Sequence, residues 1–265
     1  MTPLLLAMLV LLGLVIGAFG TLIGVGGGFL LMPILLVWRA GEEPDRLTAL
    51  SLTMIFFNSL SGTIGYARAG RVNFRAGCVF ALAALPGAAA GAYLIEYVPR
   101  GYFDPLFAVL LLAMGTFLLW RGERRLGRSP GAPAPSLPVE RPDLRAGAII
   151  SIGVGCVASL LGIGGGVIHV PALVHLARFP VHVATATSHF VLACTSAVAM
   201  VVLAARGNLS GQYDQAAALA VGAVIGAQIG ARLSSRVHGS VIVRLLGAAI
   251  VVAALRVGWQ AVSRA

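Results

Sequence analysis

The sequence predicts an all-α polytopic membrane protein built from two homologous repeats of four to five transmembrane segments. Two observations carry this. The first is composition: 58% of the 265 residues are hydrophobic and 11% are charged, against roughly 25% charged in ordinary soluble domains. Apolar stretches of about 20 residues, the length that crosses a bilayer, recur from end to end. They are continuous instead of alternating, which argues against a β-barrel. The second observation is a duplication. Residues 22–36 read LIGVGGGFLLMPILL and residues 160–174 read LLGIGGGVIHVPALV. Each places three consecutive glycines, and a proline five residues on, inside strongly apolar sequence.

Taken in order, the apolar segments of the first half cover about 3–21, 26–38, 47–66, 77–98 and 102–120. The first lacks a basic leader and an A-x-A cleavage site, so it reads as a retained span and not a signal peptide. Those of the second half cover about 146–161, 164–177, 184–205, 215–236 and 241–260. This divides the chain into a first repeat (1–120), a linker (121–145) and a second repeat (146–265). The linker, RGERRLGRSPGAPAPSLPVERPDLR, is too polar to insert and too rich in proline to fold. Its excess of arginine predicts a cytoplasmic position.

The duplication extends beyond the glycines. TALSL (48–52) matches TATSH (185–189), ARAGRVN (67–73) matches AARGNLS (204–210), and GAAAGAYL (87–94) matches GAQIGARL (226–233). Arg68, Arg71 and Arg75 lie between the third and fourth segments, whereas in the second half arginine moves to the next connection, with Arg232 and Arg236. Alternation of this kind is what an odd number of spans per half produces, and it favours inverted repeats. Should the glycine-bearing segments re-enter without crossing, each half has four spans and the repeats are parallel. Gly13 and Gly17, Gly87 and Gly91, and Gly222, Gly226 and Gly230 follow the small-xxx-small spacing of close helix packing.

Composition also removes several classes of function. The net charge of +10 comes from arginine without lysine, placed mostly beside apolar segments. It reads as topology-setting charge and not as a nucleic-acid footprint. Cys78, Cys156 and Cys194 stand singly in apolar sequence, with no metal-ligand spacing. There is no phosphate-binding loop for ATP and no nucleophile with an organised acid–base partner. No catalytic residue, metal or cofactor is expected.

The expected binding groups are of three kinds. Glycine breaks at Gly26, Gly27 and Gly28, and at Gly164, Gly165 and Gly166, would start half-helices whose free N–H groups and positive dipole ends suit an anion. Pro33 and Pro171 complete the two motifs. The alternative is that these glycines serve only tight helix crossing. Thr48, Ser51 and Asn58 share one helix face, and Thr185, Ser188 and Thr195 are their counterparts; these groups either bind a small oxyanion or bond neighbouring helices. His169, which replaces Leu31 of the first motif, and His189 are the titratable groups at membrane depth. Each either carries a proton near the unperturbed pKa of about 6.5 or sits neutral and satisfied by a carbonyl.

On GVGGGFLLMP and GIGGGVIHVP, the TALS and TATS that follow, the loop ending ARGNL and the GAxxGA near each half's end, the chain resembles the sulfite exporter TauE/SafE family of membrane permeases. The resemblance covers essentially the whole chain. It implies transport of small sulfur oxyanions or organosulfonates such as sulfite, sulfoacetate or thiosulfate, in many members outward across a bacterial inner membrane. The expected partners are therefore a small anionic substrate and membrane lipid, without nucleic acid, and homo-oligomerisation stays open. Competing readings are a membrane scaffold that transports nothing and an anion channel.

Overall fold

The computed structural model describes residues 2–126, 144–175, 179–234, 247 and 250–259, and the regular elements among them are helices. Helix α1 (Pro3–Ile23) opens on a proline at its first position and closes on Gly24, whose left-handed backbone returns its N–H to Gly20 O at 3.0 Å. After a glycine turn come α2 (Gly28–Trp38) and α3 (Pro44–Arg68), the latter again opened by proline. Asn73 caps α4 (Phe74–Leu94) by accepting the Ala76 N–H at 3.0 Å. Then follow α5 (Arg100–Leu126), α6 (Leu144–Leu160), α7 (Gly166–His175), α8 (Val181–Ala205), α9 (Tyr213–Leu233) and α10 (Ile250–Trp259).

Among the described residues, five segments have the length and hydropathy to cross a bilayer: Pro3–Ile23, Pro44–Arg68, Phe74–Tyr97, His182–Ala205 and Tyr213–Leu233. For the segments whose ends are described, the sequence boundaries hold within a few residues, with a correction at each end of the linker; the start expected near 241 lies outside the described residues. Helix α5 continues six residues into the expected linker, because Arg, Glu and Leu in RGERRL are strong helix formers and the first proline comes only at Pro130. Leu144 and Arg145, the last two linker residues, already belong to α6, and 127–143 lies outside the described residues, as does most of 235–249. Helices α2 and α7, at 11 and 10 residues, are about 16 Å long at 1.5 Å per residue. That is half of a hydrocarbon core about 30 Å thick.

Helix directions follow from which residues meet. Gly222, Gly226 and Gly230 lie against Val10, Leu14 and Ala18, so α9 and α1 run parallel, with backbones too close for a Cβ. Gly87 meets Ile152 and Gly91 meets Cys156, so α4 and α6 are parallel in the same way. The small-xxx-small series thus works as the sequence predicts, by letting backbones touch. At one end of the molecule Asn208, just after α8, donates to Asp45 at the start of α3 (2.6 Å). At the other, the Asn73 N–H after α3 donates to Thr187 near the start of α8 (3.1 Å). Helices α3 and α8 are therefore antiparallel. Gly115 against Val251 and Gly258 against Ala108 make α5 and α10 antiparallel too.

With these directions, each helix from α6 to α10 runs opposite to the helix five places before it. Helices α3 and α8 sit at the centre, α1 with α9 flanks one side, and α4 with α6 flanks the other. The ends differ in charge. Glu42, Glu43, Asp45, Glu96, Asp104 and Asp214 gather at the Asp45 end beside Arg39, Arg46, Arg100 and Arg206, and Arg68, Arg71, Arg75, Arg145 and Arg232 gather at the Arg71 end. Charges at the Asp45 end are locked together. Arg100 pairs with Asp104 (3.2 Å) and donates to the α2 terminal carbonyl of Leu36 (3.0 Å), and Arg206 pairs with Glu96. That carboxylate holds the Arg206 guanidinium protonated above its usual range.

Candidate functional site

The site is assembled from two backbone breaks. Gly26 and Gly27 have φ of +87° and +80°, and Gly164 and Gly165 have +77° and +69°, a region that favours glycine over residues with a Cβ. The chain reverses here, so α2 leaves the centre toward the Asp45 end and α7 toward the Arg71 end. The breaks lie against each other. A Cβ on Gly28 would stand 3.0 Å from Gly162 O, and one on Gly166 would stand 2.6 Å from Val25 O. Two short helices thus begin side by side and diverge. The first amides of α2 meet no acceptor until Leu30 and Leu31 reach Gly27 O; in α7 the Gly166 N–H turns back to Gly164 O at 2.9 Å, Val167 meets no acceptor, and Ile168 and His169 return to Gly165 O. Among the described residues, Gly28, Phe29 and Val167 keep free N–H groups beside the break. A helix N-terminus in that state is positive and offers donors.

The central helices supply polar side chains to both breaks. From α3, Ser51 Oγ donates to Gly162 O (2.6 Å), and Asn58 Nδ2 donates to Gly26 O (3.2 Å) while Asn58 Oδ1 accepts from Thr21 (3.2 Å). Thr48 packs against Gly162, and its counterpart Thr185 packs against Gly24. The Thr48 hydroxyl is fully buried and has no partner. These residues do share one face, and that face looks at the glycine turns. Pro33 and Pro171 lie inside α2 and α7, where each withholds an N–H and frees a carbonyl near the helix start.

The two halves differ chemically where His169 stands against Leu31 and Thr195 against Asn58. Where Ser51 binds a backbone carbonyl, Ser188 binds His169: its Oγ lies 3.2 Å from Nδ1, while Ser151 Oγ lies 2.9 Å from Nε2. Ser151 gives its own hydrogen to Gly147 O (2.6 Å), so Nε2 carries a hydrogen and Nδ1 accepts from Ser188. A fully satisfied neutral imidazole results, stacked edge-on against Phe80. A cavity of about 10 Å³ adjoins it, lined in part by Ser151, Gly164, Gly165, His169, Leu192 and Thr195. Thr195 itself bonds the carbonyls of its own helix, Val191 (3.1 Å) and Leu192 (3.2 Å).

His189 lies elsewhere, edge-on to Tyr66 and against Gly62. Neither of its ring nitrogens has a hydrogen-bond partner, although the Gly24 and Thr185 carbonyls lie beside the ring. Sequence reasoning missed Thr21 of α1 and Ser151 of α6, which orient Asn58 and His169 from other helices, Tyr66 of α3, whose hydroxyl donates to the Thr21 carbonyl, and the left-handed Gly24 and Gly162. The glycines were findable, since both stand two places before their GGG run. Ser151 carried no signal, because only the fold-back of α7 along α6 brings it to His169.

Comparison with known proteins agrees with this architecture. Residues 9–257 match the family model described as Sulfite exporter TauE/SafE. A Bacillus subtilis protein named probable membrane transporter protein YunE is 30% identical over 229 residues, covering 81% of this chain and 83% of its own. A Methanocaldococcus jannaschii protein, also named a probable membrane transporter, is 26% identical over 73% of this chain and 70% of its own. Sulfite exporter TauE/SafE family protein 1 of Arabidopsis thaliana is 30% identical over 42% of this chain and 25% of its own. No solved structure matches. The apolar spans, the paired glycine breaks and the family match lead to one assignment: this chain is a membrane protein of the TauE/SafE sulfite exporter family, a family of transporters and not of enzymes.

Proposed function

We propose that the protein is a secondary transporter that exports small anions, sulfur oxyanions or organosulfonates such as sulfite or sulfoacetate, from a site between the two GGGxxxxP motifs. The observation that carries this is the juxtaposition of two half-helix N-termini with unpaired amides, ringed by Ser51, Asn58 and Ser188. Broken helices in matching positions of two halves are the usual setting of a transporter site. Donors and positive dipole ends suit an oxyanion better than a cation. The antiparallel running of α1–α5 against α6–α10 supports inverted repeats and alternating access, in which one set of helices rocks against the other. The arginine-rich Arg71 end belongs in the cytoplasm on the positive-inside rule, with linker 121–145, and the Asp45 end belongs outside an inner membrane.

His169 is the proton-coupling group in this reading. A second proton places a hydrogen on Nδ1, which then donates to Ser188 and releases the Ser188 hydrogen from the ring. The groups facing the imidazole, Phe80 from α4, Ser151 from α6 and Ser188 from α8, are uncharged. An entering anion would be the natural counter-charge for the imidazolium. The test is flux in proteoliposomes loaded with sulfite or sulfoacetate, with and without a pH gradient. Efflux of either, faster when the lumen is the more acidic side so that proton and anion leave together, is expected. Flux of a cation or neutral solute without any sulfur oxyanion would refute the assignment.

A further inference from the structure

The space that the glycines leave open is filled, and by a matched pair of side chains. Ile55 of α3 and Leu192 of α8 occupy equivalent positions in the two halves, at the same offset as Thr48 and Thr185. Both are buried. A Cβ on Gly28 would collide with Ile55 Cδ1, and one on Gly164 would stand 2.8 Å from Ile55 Cγ2. One on Gly26 would stand 2.6 Å from Leu192 Cδ2. The missing side chains of both motifs are therefore replaced by two branched aliphatic groups reaching in from the central helices. Polar groups lie around this plug. The unpartnered Ser59 hydroxyl is 3.5 Å from the same Gly26 position, and the cavity beside His169, at about 10 Å³, has Leu192 in its wall. That volume holds about one water molecule, far less than an oxyanion needs.

We infer that Ile55 and Leu192 form the central seal of the transport path and set the size of the anion that passes it. The inference rests on the reading that the anion binds between the glycine motifs. An anion next to this pair must leave its hydration shell against hydrocarbon, which is costly unless the pair withdraws. Isoleucine and leucine can withdraw by rotamer change once helices α3 and α8 separate, and they close again by filling the glycine notches. Glycine at 26, 28 and 164 is thus needed as the socket for the plug as well as for the turn.

The experiment measures iodide entry into proteoliposomes containing a halide-quenched dye, beside sulfite and sulfoacetate efflux. The double variant Ile55→Ala/Leu192→Ala should admit iodide at least tenfold faster than the native protein, and should move sulfoacetate faster relative to sulfite. Ile55→Val, which removes only the methyl seated over Gly28, should give a smaller leak of the same kind and keeps the question answerable if the double variant does not fold. Leu111→Ala, a buried change on α5, should stay tight. Tight folded Ile55 and Leu192 variants beside a native protein that exports sulfite would overturn the seal and leave the transport reading standing. A leak equal in Leu111→Ala would overturn it as well. Leak in the variants without native sulfur-oxyanion flux would uphold the seal and sink the proposed cargo.

Discussion

At the scale of single residues, the pair His169 and Ser188 marks where the two halves part. Ser51, the counterpart of Ser188, gives its hydrogen to the Gly162 carbonyl. Ser188 instead serves an imidazole that has replaced a leucine. A hydroxyl bonded to a carbonyl has one good orientation, whereas one bonded to histidine reverses its donor role when the ring gains a proton. His169→Leu restores the residue of the first motif and should leave a folded, inserted protein, since Leu31 is itself fully buried at the matching position. Native transport should rise as pH falls and the ring takes up its second proton, the form that pairs with an anion. The variant should run slower with a flat profile. A profile unchanged from native in pH-jump flux measurements would make His169 a packing residue and move attention to His189, whose buried ring nitrogens are without partners.

At the scale of helices, glycine does two separate jobs. In α1, α4, α6 and α9 it removes side chains so that backbones touch, and in the turns before α2 and α7 it permits left-handed φ. The first job is local to the contact face. Gly226 faces the Leu14 carbonyl and the Ala18 amide, atoms that no rotamer change can move, whereas Gly153 on α6 has open space around it. Gly226→Leu should therefore destabilise the α1–α9 pair by about 3 kcal/mol, the upper end of overpacking costs. Gly153→Leu should be neutral or gain up to about 1 kcal/mol from helix propensity. Thermal unfolding of the two purified variants in detergent checks the contrast. Equal melting temperatures would mean that the glycine series does not hold these helices together.

At the scale of the whole molecule, the distribution of charge and the direction of the helices agree. The arginine-rich end receives the C-terminus of α5 and the start of α6, and the acidic end receives the 39–46 loop. With α10 antiparallel to α5, Trp259 at its end lies toward the acidic end. Reporter fusions after Arg128 and after Ala265 should therefore fall on opposite sides of the membrane, with a reporter in the 39–46 loop on the same side as Ala265. Fusions at Arg128 and Ala265 that report one compartment would refute inversion and return the protein to four spans per half.

Much of this was open to reading from the sequence. Continuous apolar runs can only be buried in lipid or protein, so the helical membrane class followed from hydropathy alone. The register of the duplicated GGG and of TALS with TATS located the breaks and the polar face of α3 to the residue, because both features depend on spacing along the chain. The contact face of α1 with α9 was legible for the same reason, since small residues four apart lie on one side of a helix. Contacts between distant segments were not. That Ser151 satisfies His169, that Thr21 and Tyr66 hold the Asn58 corner, and that Ile55 and Leu192 fill the glycine notches all depend on how α6, α1 and α8 come together. Local spacing determines which side of a helix a group occupies. Only packing decides what it meets there, because the same apolar face can bury against any neighbour of the right shape.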